Sequence, residues 1–168
     1  MIISISRAQI CDAADILEIT KLAFNIYKNE LNSDVAVKAL SETENDVLAD
    51  IEKNIVFVAK YGDKVLGSIR IKKLTDDLAY LYRFAVHPSE NNGGVGSELL
   101  NYALEECRNL NFCAAALHTN AKYFKLARYY YGKLFYVHST DFSKGYIRAL
   151  FVKELTDKKV DLSKALEL

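Results

Sequence analysis

Residues 84–104 read FAVHPSENNGGVGSELLNYAL. The stretch holds three of the chain's seven glycines, Gly93, Gly94 and Gly96, and its one proline, Pro88. An apolar, strand-like run ending at Val86 enters it. A helical run with Leu99, Leu100, Ala103, Leu104 and Cys107 on one face leaves it. A strand that turns through glycines into a helix places backbone N–H groups with no intrahelical partner beside a positive dipole end. Glycine lets that backbone come close to a guest, and the natural guest is an anion such as a phosphate. A glycine-rich turn with no ligand remains open on these grounds alone.

Two familiar nucleotide patterns fail on local spacing. The ATP-binding loop needs a Lys followed by Ser or Thr after the glycines, and none follows. The dinucleotide fingerprint needs a small third residue, and Leu99 stands there.

Working outward, Ile2–Ala8 alternates as a half-buried strand and Ala13–Tyr27 recurs at helical spacing. Ser41 with Glu44 suggests a capping box before a second helix carrying Val47, Leu48 and Ile51. "NIVFVAKYGDKVLGSIRIKKL" reads as a hairpin around Gly62. "AYLYRFAV" (Ala79–Val86) is a third strand. Beyond the glycine junction, Phe112–Thr119 is a short apolar run after a helix. It predicts a strand parallel to Ala79–Val86, joined by a βαβ crossover. "AKYFKLARYYYGKLF" is helical, two strands flank "SKG", and the tail closes on a short helix near "LSKALEL". The fold class is α/β (α+β), a mostly antiparallel mixed sheet of six to seven strands with about four helices, in one domain over residues 1–168.

The formal net charge is zero, which gives no basic excess for nucleic acid. No apolar run approaches a membrane span. The three cysteines, Cys11, Cys107 and Cys113, show no CxxC spacing, and two lie in apolar periodic segments. Buried free thiols and a start without signal-peptide character lead us to expect a cytoplasmic protein.

The glycine junction resembles the signature loop of the GNAT superfamily of N-acetyltransferases, [RQ]xxGx[GA] after a strand ending "aVxP". Here Ala85-Val86 and Pro88 precede Asn91-Asn92-Gly93-Gly94-Val95-Gly96, with Asn91 where the family has Arg or Gln. "ARYYYGKLFYV" is similar to the family's "A..LYEKLGF" helix end. It places Ala127 and Tyr131 on the Ala and Tyr, Phe135 on the glycine, and Tyr136 on the last aromatic. Tyr130 competes with Tyr131.

The resemblance implies an N-acetyltransferase using acetyl-CoA as cosubstrate and no metal. It acts on the amine of a small molecule or peptide by direct attack in a ternary complex. Phe84, Ala85 and Val86 would then hold the pantetheine arm, and Asn91, Asn92, Gly93, Gly94, Val95, Gly96 and Ser97 the pyrophosphate. Tyr131 would serve the leaving thiolate and the Val86 N–H the developing oxyanion. The family's strand glutamate has Tyr80 and Tyr82 at its positions, which leaves His118 as the candidate base. Glu30, Asp34, Glu42, Glu44 and Asp46 would either attract a cationic amine or form a solvated face. Homodimers are common in the family. The alternative is a non-catalytic acyl-CoA-binding module on the same fold.

Overall fold

The structure is a computed structural model that describes residues 2–31, 36–90 and 93–168. Its strands are β1 (Ser4–Arg7), β2 (Ile55–Tyr61), β3 (Lys64–Lys73), β4 (Leu78–Val86), β5 (Ala114–Asn120), β6 (Tyr136–Asp141) and β7 (Arg148–Glu154). Its helices are α1 (Ala13–Leu31), α2 (Glu44–Lys53), α3 (Val95–Asn109), α4 (Phe124–Gly132) and the short α5 (Ser163–Leu166). The strands form one seven-stranded sheet in the order β1-β2-β3-β4-β5-β7-β6. The expected crossover is present: β4 and β5 run parallel, with Leu78, Ala79 and Tyr80 opposite Ala114, Ala115 and Ala116. The chain divides into two compact units. The first holds residues up to Lys72 and Arg83–Glu105, and the second holds Lys73–Tyr82 and Glu106–Leu168.

In the first unit, Ile16 and Ile19 of α1 and Val47 of α2 pack on Val56, Val58, Val65 and Ala85. These are the residues whose spacing marks two amphipathic helices and one face of a hairpin. The hairpin turns at Gly62, whose φ of 59° suits glycine. The capping box of α2 differs from the expected Ser41/Glu44 pair. Thr43 is the N-cap, and the Asp46 carboxylate accepts from the Thr43 N–H at 2.8 Å. Ser41 lies in a 3₁₀ turn (Lys38–Ser41), where its hydroxyl donates to the Lys38 carbonyl at 3.0 Å. An N-cap needs extended backbone, and Thr43 has it (φ −108°, ψ 166°).

The same unit buries an ion cluster. The Arg70 side chain on β3 is fully buried. Its Nη1 donates to Glu42 Oε1 and to Asp50 Oδ2, both at 2.7 Å, and its Nη2 donates to Glu42 Oε2 at 2.8 Å. Burial disfavours its charge, but the two carboxylates outweigh burial and hold the guanidinium protonated. Two acids in or beside the expected acidic stretch are therefore already engaged with a cation.

The second unit puts two different surfaces on the two sides of β5 and β7. Leu78, Ala114, Ala116, Leu150 and Val152 face Ala165 of α5 with Tyr80 packed beside them. Phe151 faces the other way, against Tyr130 and Tyr131 of α4. Helix α4 ends in a complete Schellman motif. The Phe135 N–H donates to the Tyr130 carbonyl and the Leu134 N–H to the Tyr131 carbonyl, each at 3.0 Å. The Tyr130 and Phe135 rings meet at 5.5 Å, the apolar contact that goes with this cap. Leu134 is the left-handed residue, with φ 63°, and it is 79% exposed.

A leucine in that conformation costs about 1–2 kcal/mol. Leu134→Gly would relieve it while removing little buried surface, against a more flexible unfolded chain. We expect a net gain of about 0.5–1 kcal/mol in urea unfolding. A loss of stability in that variant would contradict the assignment of Leu134 as the capping residue.

Candidate active site

The opening stretch folds as a strand–turn–helix. After β4 the chain makes a 3₁₀ turn (Pro88–Glu90), and α3 begins at Val95. The Glu98 N–H donates to the Gly94 carbonyl at 3.0 Å, so Gly94 is the N-cap. The N–H groups of Val95, Gly96 and Ser97 precede that first intrahelical bond. The two later glycines do different work. Gly94 has φ 82° and open space where a Cβ would stand, so it supplies the turn and an unobstructed approach. A Cβ on Gly96 would meet Val86 Cγ2 at 3.3 Å and Phe84 Cζ at 3.5 Å. Its small size lets the helix start sit on the end of β4. Asn91 and Asn92 lie outside the described residues.

The strand before the loop carries an irregularity that the sequence reading misses. Arg83, in the middle of β4, has φ 48°. A bulky non-glycine residue with positive φ is rare and breaks the strand's alternation there. Ala85, after the break, belongs to the α1/α2 core, while Phe84 and Val86 reach the first turn of α3. Val86 is followed by the His87 N–H, which donates to the Leu66 carbonyl at 2.7 Å. His87 itself is a loop residue whose Nδ1 pairs with Ser89 Oγ at 2.8 Å.

In the second unit, His118 near the end of β5 and Tyr80 on β4 share a hydrogen bond of 2.9 Å between Nδ1 and the phenol oxygen. Tyr82 stacks on Tyr80 at 6.3 Å. His118 Nε2 is buried and has no hydrogen-bond partner. Burial, and secondarily the Arg148 cation, pushes the imidazole down to about 4. At neutral pH His118 is thus uncharged, with one nitrogen engaged by a phenol. Tyr80, one of the two tyrosines at the family's glutamate positions, is brought directly to the histidine.

On the opposite side of that sheet, Tyr130 is only 5% exposed and packs on Tyr129, Phe135 and Phe151. Tyr131 is 54% exposed with its ring edge against Phe151. The expected register put Phe135 at the family glycine. The left-handed residue is Leu134, and Phe135 is the buried aromatic that follows, so the register moves by one. Phe135 is 2% exposed and Tyr136 41% exposed.

Two of the three cysteines serve the structure, and Cys11 is exposed. Cys107 is fully buried, and burial raises its thiol to about 12. The Cys113 thiol donates to Asp77 Oδ1 at 3.4 Å. Among the described residues no cluster of His, Cys, Asp or Glu could hold a metal ion, and no helix is long and apolar enough to cross a membrane.

Residues 18–135 match the model of the acetyltransferase (GNAT) family. The chain belongs to that family. No curated protein sequence matches it. Its fold is shared with the PaiA N-acetyltransferase of Thermoplasma acidophilum, solved in complex with coenzyme A. That likeness has a TM-score of 0.80 at 17% identity, over 92% of this chain and 99% of that one. The YncA putative acetyltransferase of Salmonella typhimurium, solved with acetyl-CoA, gives 0.77 at 17% identity, over 96% and 98%. The ribosomal-protein-S18-alanine N-acetyltransferase of Escherichia coli gives 0.74 at 15% identity, over 96% and 99%. The match ends on Phe135, the aromatic that follows the left-handed Leu134.

The low value of His118 has a consequence for stability. An unfolded histidine titrates near ~6.5. The folded value lies below it, so this contribution is whole above pH 6.5 and is lost as the pH falls toward 4. His118→Gln keeps an acceptor for Tyr80 and cannot titrate. Between pH 7 and 4.5 the melting temperature of the wild type should therefore fall further than that of His118→Gln. Parallel falls would mean that His118 is not held neutral.

Proposed function

We propose that this protein is an acetyl-CoA-dependent N-acetyltransferase acting on an amine of a small molecule or peptide. The observation that carries the reading is the start of α3. Three N–H groups without intrahelical partners stand behind a left-handed, sterically open Gly94, in a chain of the GNAT family. A pyrophosphate suits that donor set, because each N–H can donate to a phosphate oxygen and the helix dipole favours the charge. Glu98 and Glu90 flank the loop and weaken that attraction. The backbone donors therefore carry the binding. In this reading Gly93, Gly94, Val95, Gly96 and Ser97 hold the pyrophosphate, together with Asn91 and Asn92. Phe84, Ala85 and Val86 hold the pantetheine arm.

Bound acetyl-CoA supplies the activated acyl group. The protein's part is to orient that group, to stabilise charge on the carbonyl oxygen, to accept the amine's proton and to protonate the departing sulfur. The Val86 N–H is assigned to the oxyanion. A tyrosine hydroxyl of α4 is assigned to the sulfur. The register set by Leu134 favours Tyr130, and the exposure of its ring favours Tyr131 as the second reading. His118 and Tyr80 are assigned to the amine's proton as a pair. A neutral imidazole that already shares a hydrogen bond with a phenol can take a proton relayed through it, though one with so low a value is a weak base. The amine must then give up much of its proton to water, and the rate should rise with pH toward the amine's own pKa.

The module reading, acyl-CoA binding without turnover, is favoured by one feature: no carboxylate stands at positions 80 or 82 of β4. Thiol release separates the two. Acetyl-CoA at about 100 times its Kd should stabilise the fold by about 2.7 kcal/mol. An amine panel should give CoA release that falls about 100-fold in kcat for Tyr130→Phe and less than about threefold for Tyr131→Phe. The reverse pattern would move the role to Tyr131. Stabilisation with no release on any amine would establish the module.

A further inference from the structure

Arg83 has no part in the reading above, and its geometry is unusual in three respects. Its backbone is left-handed, a conformation that strains a residue with a side chain. Its side chain is only 25% exposed. Among the described residues its hydrogen bonding is confined to one contact, Nε donating to Glu42 Oε1 at 3.2 Å. Nε is thereby fixed, and among the described residues the Nη1 and Nη2 edge of the guanidinium has no acceptor. Neither nitrogen of that edge is buried, so a braced pair of parallel donors is presented to solvent, where a ligand can reach it.

Glu42 cannot fill it. Both its oxygens already accept from Arg70, at 2.7 and 2.8 Å, and Oε1 also takes Arg83 Nε. Asp50 is engaged by Arg70 and by the Asn54 amide at 2.8 Å. The buried cluster thus holds Arg83 in place while leaving its outer edge open. The partner that matches a planar two-donor edge is a carboxylate, taken bidentately.

Arg83 is next in the chain to residues of the proposed site. Arg83 immediately precedes Phe84, the first residue assigned to the pantetheine arm. Glu42 follows Ser41, the last lining residue of a cleft of about 330 Å³ that also presents Lys28, Lys38, Val37 and Leu40. Among the described residues that lining is apolar apart from two ammonium groups and the Ser41 hydroxyl, and holds no acid. Of the acids that the sequence suggests as bait for a cationic amine, two are otherwise employed, and Asp34 lies outside the described residues. Glu42 is buried under Arg70, and Asp46 caps α2.

We propose that Arg83 is a specificity residue that binds a carboxylate on the acceptor. The substrate class is then an amine that carries a carboxylate, as a free amino acid or an acidic peptide, rather than a diamine or polyamine. The proposal rests on the acetyltransferase reading and deepens it.

The test compares 4-aminobutyrate with its amide, an acidic-ended peptide with its amidated form, and putrescine, all by thiol release. Wild type should prefer each carboxylate over its amide by about tenfold or more in kcat/KM. The effect should lie in KM, and putrescine should be the poorest acceptor. The peptide and small-molecule arms show which source is used. Arg83→Gln should bring each ratio to within about threefold of one, and Arg83→Lys, which keeps the charge but loses the fork, should retain part of it. A second arm measures binding of the 4-aminobutyrate pair by calorimetry with CoA in place of acetyl-CoA, where nothing turns over. Carboxylate preference there without any thiol release would overturn the enzyme reading and keep the site. Equal binding of acid and amide, or a preference that survives Arg83→Gln, would overturn the role of Arg83 whatever the activity.

Discussion

Two absent methyl groups organise the first unit. A Cβ on Gly67 of β3 would come within 3.0 Å of the Ala85 carbonyl oxygen, and one on Gly96 would press Val86 at 3.3 Å. The first distance is at the tight limit of real Cβ contacts and falls on backbone, so alanine at position 67 would require β4 to give by a few tenths of an ångström. With both glycines in place, the end of β4 and the first turn of α3 lie in direct contact, and Leu99 fills the space over Gly67. That contact fixes where the free N–H groups of Val95, Gly96 and Ser97 stand relative to Phe84 and Val86. The loop is therefore built by packing, and its suitability for an anion is a consequence of the packing.

Charge in the same unit is arranged with similar economy. Arg70 lies in an otherwise apolar strand and draws Glu42 and Asp50 to it, which ties the turn before α2 and the α2 helix to β3. A buried ion pair of this kind is weak evidence for stability and better evidence for a unique arrangement. Here it also holds Arg83 by one nitrogen. In the second unit the polar atoms are paired across strands instead, with Tyr80 to His118 and Arg148 to Asp141 at 2.8 Å.

Most of the fold is legible from periodicity. The helix faces, the hairpin at Gly62, the central β4 and the parallel crossover all follow from apolar spacing and turn residues. What escapes is local and has physical reasons. Ser41/Glu44 and Thr43/Asp46 are overlapping candidates for one cap, and only backbone angles choose between them. The helix read through Phe135 ends at Gly132, because its cap is closed by a leucine in the conformation that glycine usually marks. Arg70 cannot be foreseen as buried, because an arginine in a strand reads as solvent-facing until its carboxylates are known. The left-handed Arg83 has no sequence signal at all. Of the candidate site, the glycine loop is legible by motif. The Tyr80–His118 pair, 38 residues apart in sequence, needs the parallel register of β4 and β5 to bring it together.

The central claim is that the α3 start binds the pyrophosphate of an acyl-CoA. Calorimetric titration of acetyl-CoA beside acetyl-pantetheine, which lacks the pyrophosphate and nucleotide, tests it most directly. The account predicts saturable one-to-one binding of acetyl-CoA at least about tenfold tighter than acetyl-pantetheine, with the difference shrinking as Gly94 is replaced by valine. Equal affinities for the two ligands, or no binding of either, would contradict it.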